Sequence, residues 1–275
     1  MLTATLFALA AAVLHAGWNL AMKAQGDRFV TAWRMFVAGG ILAALALPFA
    51  GLPGREAVPY LAASGTIHVF YVYFLSRAYD AGDFGLTYPM ARGGGALLAA
   101  IGGVALLGDE VGLAAAAAMA VVFAGLLSLA RPGASTAARN AALMTALLIG
   151  AYTLVDSRGA RASDAFSYGL CLFVVIAFTV SLGGLLLGRG HAFSAGLRAT
   201  WRRDLVAGAA SVTAYALVLV AVTQAPVGYV TALRESSVVL GALGGWLLLK
   251  ERMAIARLAS SATIALGLAL LVWAR

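Results

Sequence analysis

The sequence predicts an all-α integral membrane protein: ten transmembrane helices arranged as two inverted five-helix repeats. Three observations carry this expectation. First, 63% of the 275 residues are hydrophobic, only 11% are charged, and the mean hydropathy is +0.94. A soluble domain is about a quarter charged. Second, the apolar residues form continuous runs of about twenty, enough to cross the hydrocarbon as a helix. They do not alternate as barrel strands do. Third, two stretches read as copies of one another. Thr87-Tyr-Pro-Met-Ala-Arg92 opens an apolar run closed by Gly108-Asp-Glu110, and Thr231-Ala-Leu-Arg234-Glu235 opens one closed by Lys250-Glu251-Arg252. Arg92 and Arg234 lie 142 positions apart, and Glu110 and Glu251 lie 141 apart.

The expected spans follow in order. Leu2–Met22 lacks a basic leader and reads as a retained first helix, not a cleaved signal. Thr31–Ala50 and Pro59–Tyr79 come next, with Pro48, Pro53 and Pro59 near their ends, where proline does least damage. Leu86–Leu107 carries Arg92, and Gly112–Ala130 follows the Glu110 turn. Arg131–Asn140 then joins the halves, 1–131 and 140–275. The second half contributes Ala141–Asp156, Phe166–Leu187, Leu205–Thr223, Val227–Leu249 and Ala254–Ala274. Glu110 and Glu251 are expected to complement the N-terminal dipoles of the fifth and tenth helices. Five spans per half is an odd number, so the second half enters the membrane from the opposite face. Inverted repeats with a site near the midplane are the architecture of secondary transporters.

His15-Ala-Gly-Trp18-Asn19 in the first helix, and the short acidic turns after the fourth and ninth helices, resemble the drug/metabolite transporter superfamily, specifically the EamA-type permeases. The resemblance covers the whole chain. It implies a substrate cavity lined by the first, third, fourth, sixth, eighth and ninth helices, with the fifth and tenth peripheral. It implies a multi-pass protein of the cytoplasmic membrane and no particular substrate.

The candidate site follows from the polar residues within the spans. An arginine in hydrocarbon costs about 2.5–3.5 kcal/mol even on lenient scales, so Arg92 and Arg234 are expected to face a cavity. A guanidinium offers a bidentate fork to a carboxylate or phosphate. The structural alternatives are snorkelling of Arg92 to the interface and an ion pair between Arg92 and Glu235. His15, Trp18 and Asn19 share one helix face, and an amide in lipid goes unsatisfied, so that face is expected to point inward. Tyr88 lies one turn from Arg92, and Tyr71, Tyr152 and Tyr215 are expected to add rings and hydroxyls. His68 lies three residues before Tyr71. Glu235 and His15 are the candidates for proton coupling. Asp156, at the expected end of its span, reads as solvated.

Several classes are disfavoured. The net charge of +8 is distributed in gaps between apolar runs, which fits membrane orientation better than nucleic acid. Cys171 is the sole cysteine, so no internal disulfide or thiolate cluster is possible. Gly93-Gly-Gly95 lacks the strand and the Lys-Ser/Thr of a phosphate loop. His15, His68 and His191 show no metal-ligand spacing, and neither metal nor cofactor is expected. The leading function is non-enzymatic transport of a small anionic or zwitterionic metabolite. The alternatives are a lipid- or metabolite-modifying membrane enzyme and a non-transporting membrane partner. The expected partners are the bilayer and a small-molecule substrate, with a homodimer left open. Eleven basic residues fall on the face carrying the Gly188–Asp204 segment and four on the other. The positive-inside rule then places both termini outside the cytoplasm, whereas the family resemblance implies both inside.

Overall fold

The computed structural model describes residues 1–22, 27–81, 84–129, 135–240, 243 and 255–274. Every regular element among them is helical: α1 (Leu2–Met22), α2 (Arg28–Ala50), a 3-10 turn (Arg55–Ala57), α3 (Val58–Ala81), α4 (Phe84–Leu107), α5 (Leu113–Ser128), α6 (Thr136–Ala162), α7 (Ala165–Leu186), α8 (Gly190–Ser194), α9 (Leu197–Val222), α10 (Val227–Arg234) and α11 (Ile255–Trp273). Six described segments are long and apolar enough to span a bilayer, and Leu2–Gly17, Leu113–Ser128 and Leu258–Trp273 are shorter apolar helices. Large apolar side chains face outward: Phe49, Leu113 and Trp273 are 92%, 88% and 83% exposed. Such a surface suits lipid, because water would penalise a patch of that size.

Side chains start several helices. Asp27 accepts from the Val30 amide at the start of α2, and Ser135 accepts from the Ala138 amide at the start of α6. Asp164 accepts from the Ser167 amide and hydroxyl at the start of α7. Those donors hold the Asp164 carboxyl below its ordinary range. Its contribution is present above the ordinary carboxylate range and is lost as pH falls through the lowered value.

Three differences from the expected spans matter. α6 begins before Ala141 and runs to Ala162, past Asp156. α9 begins at Leu197 and so includes Arg198, Arg202 and Arg203, which were expected in a loop. In both cases hydropathy marks the apolar stretch, while arginine-bearing turns, which favour helix, extend the element beyond it. The expected ninth span is interrupted. α10 ends at Arg234, Glu235 forms a turn, and residues 236–240 are helical again.

The helices pack mainly across the two halves. α1 lies on α9, α2 on α7 and α9, α3 on α6 and α7, α4 on α6 and α10, and α5 on α11. Glycine permits the closest approaches. A Cβ at Gly208 of α9 would stand 2.6 Å from the Gly39 nitrogen and 2.9 Å from the Met35 carbonyl oxygen of α2. One at Gly40 would stand 2.5 Å from the Ala177 Cβ of α7.

Charges clip the bundle at both faces. On one, the Arg34 guanidinium of α2 donates to the carbonyls of Ala192 (3.0 Å), Phe193 (2.9 Å) and Ala195, and to the Thr200 hydroxyl (3.3 Å). Arg189 pairs with Asp27 at 2.9 Å on the same face. On the other, Asp109 accepts from the Val227 amide at 2.6 Å and pairs with Arg161 at 2.7 Å. Arg161 also donates to the Val222 carbonyl at 2.9 Å. This corrects the expectation for Glu110. Glu110 is exposed, α5 starts at Gly112 without a side-chain cap, and its neighbour Asp109 caps α10. Glu251 lies outside the described residues.

Gly208→Ala should force α9 away from α2, since the obstructing atoms are backbone, and cost about 1–3 kcal/mol. Thermal unfolding of the purified protein checks this. Gly17→Ala is the control, because a Cβ there meets nothing within 4 Å, and it should leave the midpoint unchanged or raised.

Candidate functional site

Among the described residues, side chains from eight helices, including two arginines, two histidines and three tyrosines, line a cavity of ≈ 70 Å³. α1 contributes His15, α3 His68 and Tyr71, α4 Arg92, α6 Tyr152, α9 Ser211, Ala214 and Tyr215, and α10 Arg234. α2 adds Met35 and Phe36, and α7 adds Phe173 and Ile176. Neither of these two helices was expected at the site. The sequence-predicted His15, Tyr71, Arg92, Tyr152, Tyr215 and Arg234 are thus brought together. Trp18, Asn19 and Tyr88 fall on α1 and α4, but their side chains lie outside the described residues.

The aromatic groups form a continuous wall. The His68 and Tyr152 rings are 4.4 Å apart, Tyr71 and Tyr152 are 5.4 Å apart, and Tyr152 and Tyr215 are 6.3 Å apart. The latter two meet edge to face, the favoured contact of ring quadrupoles. Phe36 lies 6.2 Å from His68, and Phe173 lies 6.3 Å from Tyr215. The His68 Nδ1 lies 2.8 Å from the Ser64 carbonyl one turn earlier. A carbonyl can only accept, so Nδ1 carries the hydrogen and Nε2 is left as the acceptor of the neutral ring.

The two arginines are not equivalent. Arg92 Nη2 donates to Glu235 Oε1 at 2.5 Å, with both side chains nearly excluded from solvent. This pair ties α4 to the turn that follows α10. Glu235 Oε2 and Ser237 Oγ are buried without hydrogen-bond partners among the described residues. Arg234 is 9% exposed and makes no ion pair among the described residues. Its guanidinium lies 5.8 Å from the Tyr215 ring centroid, a cation–π contact that stabilises a cation without neutralising it.

Asp156 corrects the sequence reading. It is fully buried, not solvated, because α6 continues for six residues beyond it. Its Oδ2 accepts from the Tyr215 hydroxyl at 2.6 Å and its Oδ1 from the Tyr168 hydroxyl at 2.9 Å. Tyr215 therefore faces Arg234 with its ring and Asp156 with its oxygen. The sequence carried one signal for this. Tyr152, Asp156, Gly159 and Ala160 recur at helical spacing, a small and polar face on which neighbours can close.

Among solved structures, the chain is similar to one described as "Crystal structure of protein", with a TM-score of 0.78 and 20% identity over 98% of this chain and 96% of that chain. At that identity the likeness shows the fold alone. No family model matches the chain, and no curated protein does.

The Arg92–Glu235 pair is buried, so removing one partner should strand the other charge. Arg92→Gln or Glu235→Gln alone should cost about 3–5 kcal/mol, and the double variant should recover most of that loss. Thermal unfolding of the three variants measures the coupling. Additive losses would mean that the two side chains do not depend on each other.

Proposed function

We propose that this chain is a secondary transporter of the drug/metabolite transporter superfamily, of the EamA-permease type. In this reading ten helices form two inverted repeats, 1–131 and 140–275. They move a small anionic or zwitterionic metabolite across the cytoplasmic membrane by alternating access. One observation carries the proposal: Arg234 lies in the central cavity without a counter-ion among the described residues, while Arg92 beside it is paired. A guanidinium so placed is stabilised most by a ligand that brings negative charge. The rings of Tyr152, Tyr215 and His68 can pack on the rest of a small ligand.

The packing pattern supports the repeat. Equate α1 with α6, α2 with α7, α3 with α9, α4 with α10 and α5 with α11. The contact of α1 with α9 then has its counterpart in α6 with α3, and α2 with α9 in α7 with α3. α4 with α6 matches α10 with α1, while α2 with α7, α4 with α10 and α5 with α11 each map onto themselves. A twofold exchange of halves generates this set. The turn at Glu235 supports the site, because interrupted helices at membrane depth are tolerated where they line a cavity and commonly hold the substrate of transporters.

Arg234→Gln should lose about 1.5–3 kcal/mol of charge-assisted binding, a tenfold or larger fall in affinity. Arg234→Lys should restore only part, because an ammonium lacks the planar fork. The measurement is thermal stabilisation across a panel of anionic and zwitterionic metabolites, followed by affinity for the compound that stabilises most. Unchanged affinity in Arg234→Gln would remove the anion role.

The basic bias assigns the α7–α9 connection to the cytoplasm. A cysteine introduced by His191→Cys, in a chain carrying Cys171→Ser, should resist an impermeant thiol reagent in intact cells and react after lysis. Labelling in intact cells would give the opposite orientation.

A further inference from the structure

The membrane-embedded centre contains a carboxyl that the anion site alone does not explain. Asp156 is fully buried within α6, one hydroxyl away from the cavity. Among the described residues, its neighbours from each element hold no cation aimed at it. α3 presents the Ser64 hydroxyl, which bonds the carboxyl, and carries His68, whose hydrogen on Nδ1 goes to the Ser64 carbonyl, and Tyr71. α7 presents the Tyr168 hydroxyl and α9 the Tyr215 hydroxyl. On α4, Arg92 is paired with Glu235. On α6 itself, Tyr152 lines the cavity, Arg158 is exposed, and Arg161 is engaged by Asp109 and the Val222 carbonyl. The 3-10 turn packed against α6 carries Arg55 and Glu56, both exposed. Arg234 on α10 reaches Tyr215 by its ring face.

The central charges can then be counted. Arg92 and Arg234 are balanced by Glu235 and Asp156, with no net charge when all four are ionised. A monoanion on Arg234 leaves the set at minus one, within a low-dielectric interior where uncompensated charge costs several kcal/mol. A single proton on a carboxyl restores the balance. Glu235 is held by Arg92, whereas the Asp156 partners are the neutral hydroxyls of Tyr215, Tyr168 and Ser64, which can bond either form of a carboxyl.

We infer that Asp156 carries the proton that enters with a monoanion bound at Arg234, with the Tyr215 hydroxyl as the relay between cavity and carboxyl. This rests on the anion site proposed above. In the step, hydronium in the cavity gives a proton to the Tyr215 oxygen, the Tyr215 hydroxyl proton passes to Asp156 Oδ2, and water is left behind. The phenol is regenerated, the carboxylate becomes a carboxylic acid, and nothing is oxidised or reduced. A zwitterion brings no net charge and draws no proton. The Asp156–Tyr215 couple therefore makes monoanion binding pH-dependent and zwitterion binding not.

The test uses the full chain in lipid nanodiscs and methanesulfonate, a small monoanion that stays ionised throughout. Two quantities are read: proton uptake from weakly buffered solution, and the carboxylic-acid carbonyl band in the infrared difference spectrum. Wild type should take up about one proton per anion and gain that band, and its affinity should fall about tenfold per pH unit once the carboxyl is ionised without ligand. Asp156→Asn should bind without uptake, without the band, and at an affinity independent of pH. Tyr215→Phe keeps the ring over Arg234 but removes the relay and one donor, so proton uptake should slow and the band finally reached should lie at a shifted frequency. It carries the test should Asp156→Asn not fold. Binding to wild type without proton uptake, uptake that survives in Asp156→Asn, or an unshifted band in Tyr215→Phe overturns the role of Asp156 and leaves the anion site standing. Failure of methanesulfonate to bind wild type, or equal binding by Arg234→Gln, overturns the anion site and this inference with it.

Discussion

Charge balance in an apolar interior is the constraint on which the rest of this structure depends. Among the described residues, Arg92, Arg234, Glu235 and Asp156 are buried in a helical bundle that exposes many large apolar side chains. In water each would be solvated at no cost. Here each needs a specific neighbour, because the medium supplies none. Glu235 answers Arg92, the hydroxyls of Tyr215, Tyr168 and Ser64 answer Asp156, and the Tyr215 ring answers Arg234. The aromatic wall is thus a consequence of the charges as much as of the apolar core. Tyrosine is the side chain that offers a packing face, a cation-binding face and a hydroxyl at once.

The arginines of this chain differ in how their donors are used, and that difference separates scaffold from site. Arg34 spends its guanidinium on carbonyls of the α7–α9 connection, and its burial is that of a clip. Arg161 divides its donors between a carboxylate and a helix-terminal carbonyl, and so closes the face where α6 and α9 end. Both satisfy backbone groups that helix ends leave open. Arg234 is as buried as Arg34 but has a ring beside it instead of acceptors. A guanidinium has five donors, and Arg234 lines the cavity with its own.

The sequence made some of this legible and hid the rest for physical reasons. Long apolar runs marked the spans because lipid imposes a length. Arg92 and Arg234 stood out because charge is rare there. Tyr71, Tyr152, Tyr215 and His15 could be placed on inward faces by their spacing. Met35, Phe36, Phe173 and Ile176 could not, since an apolar residue in an apolar helix carries no signal of which way it points. Asp156 was misread because Arg158, Arg161 and Asp164 follow closely and imitate a solvated helix end. The interruption at Glu235 was invisible, because glutamate and serine both tolerate helix. Arg34 was passed over because hydropathy averages one arginine away, while the carbonyls it holds lie in and just after α8, about 160 residues later.

The proposed repeat adds a last step, in the mismatch between scaffold and site. If α4 and α10 are counterparts, duplication supplied one arginine per half at equivalent places. The carboxylates break the equivalence. Gly93 stands where Glu235 stands in the second half, and Met22 stands where Asp156 stands. A symmetric pair of free cations would repel one another and would bind two anions or one dianion. The carboxylate next to Arg234 in sequence reaches across to Arg92 instead, so one cation is paired and the other has no counter-ion among the described residues. On the proposed reading, the backbone keeps a near-twofold packing while the charges at the site do not follow it.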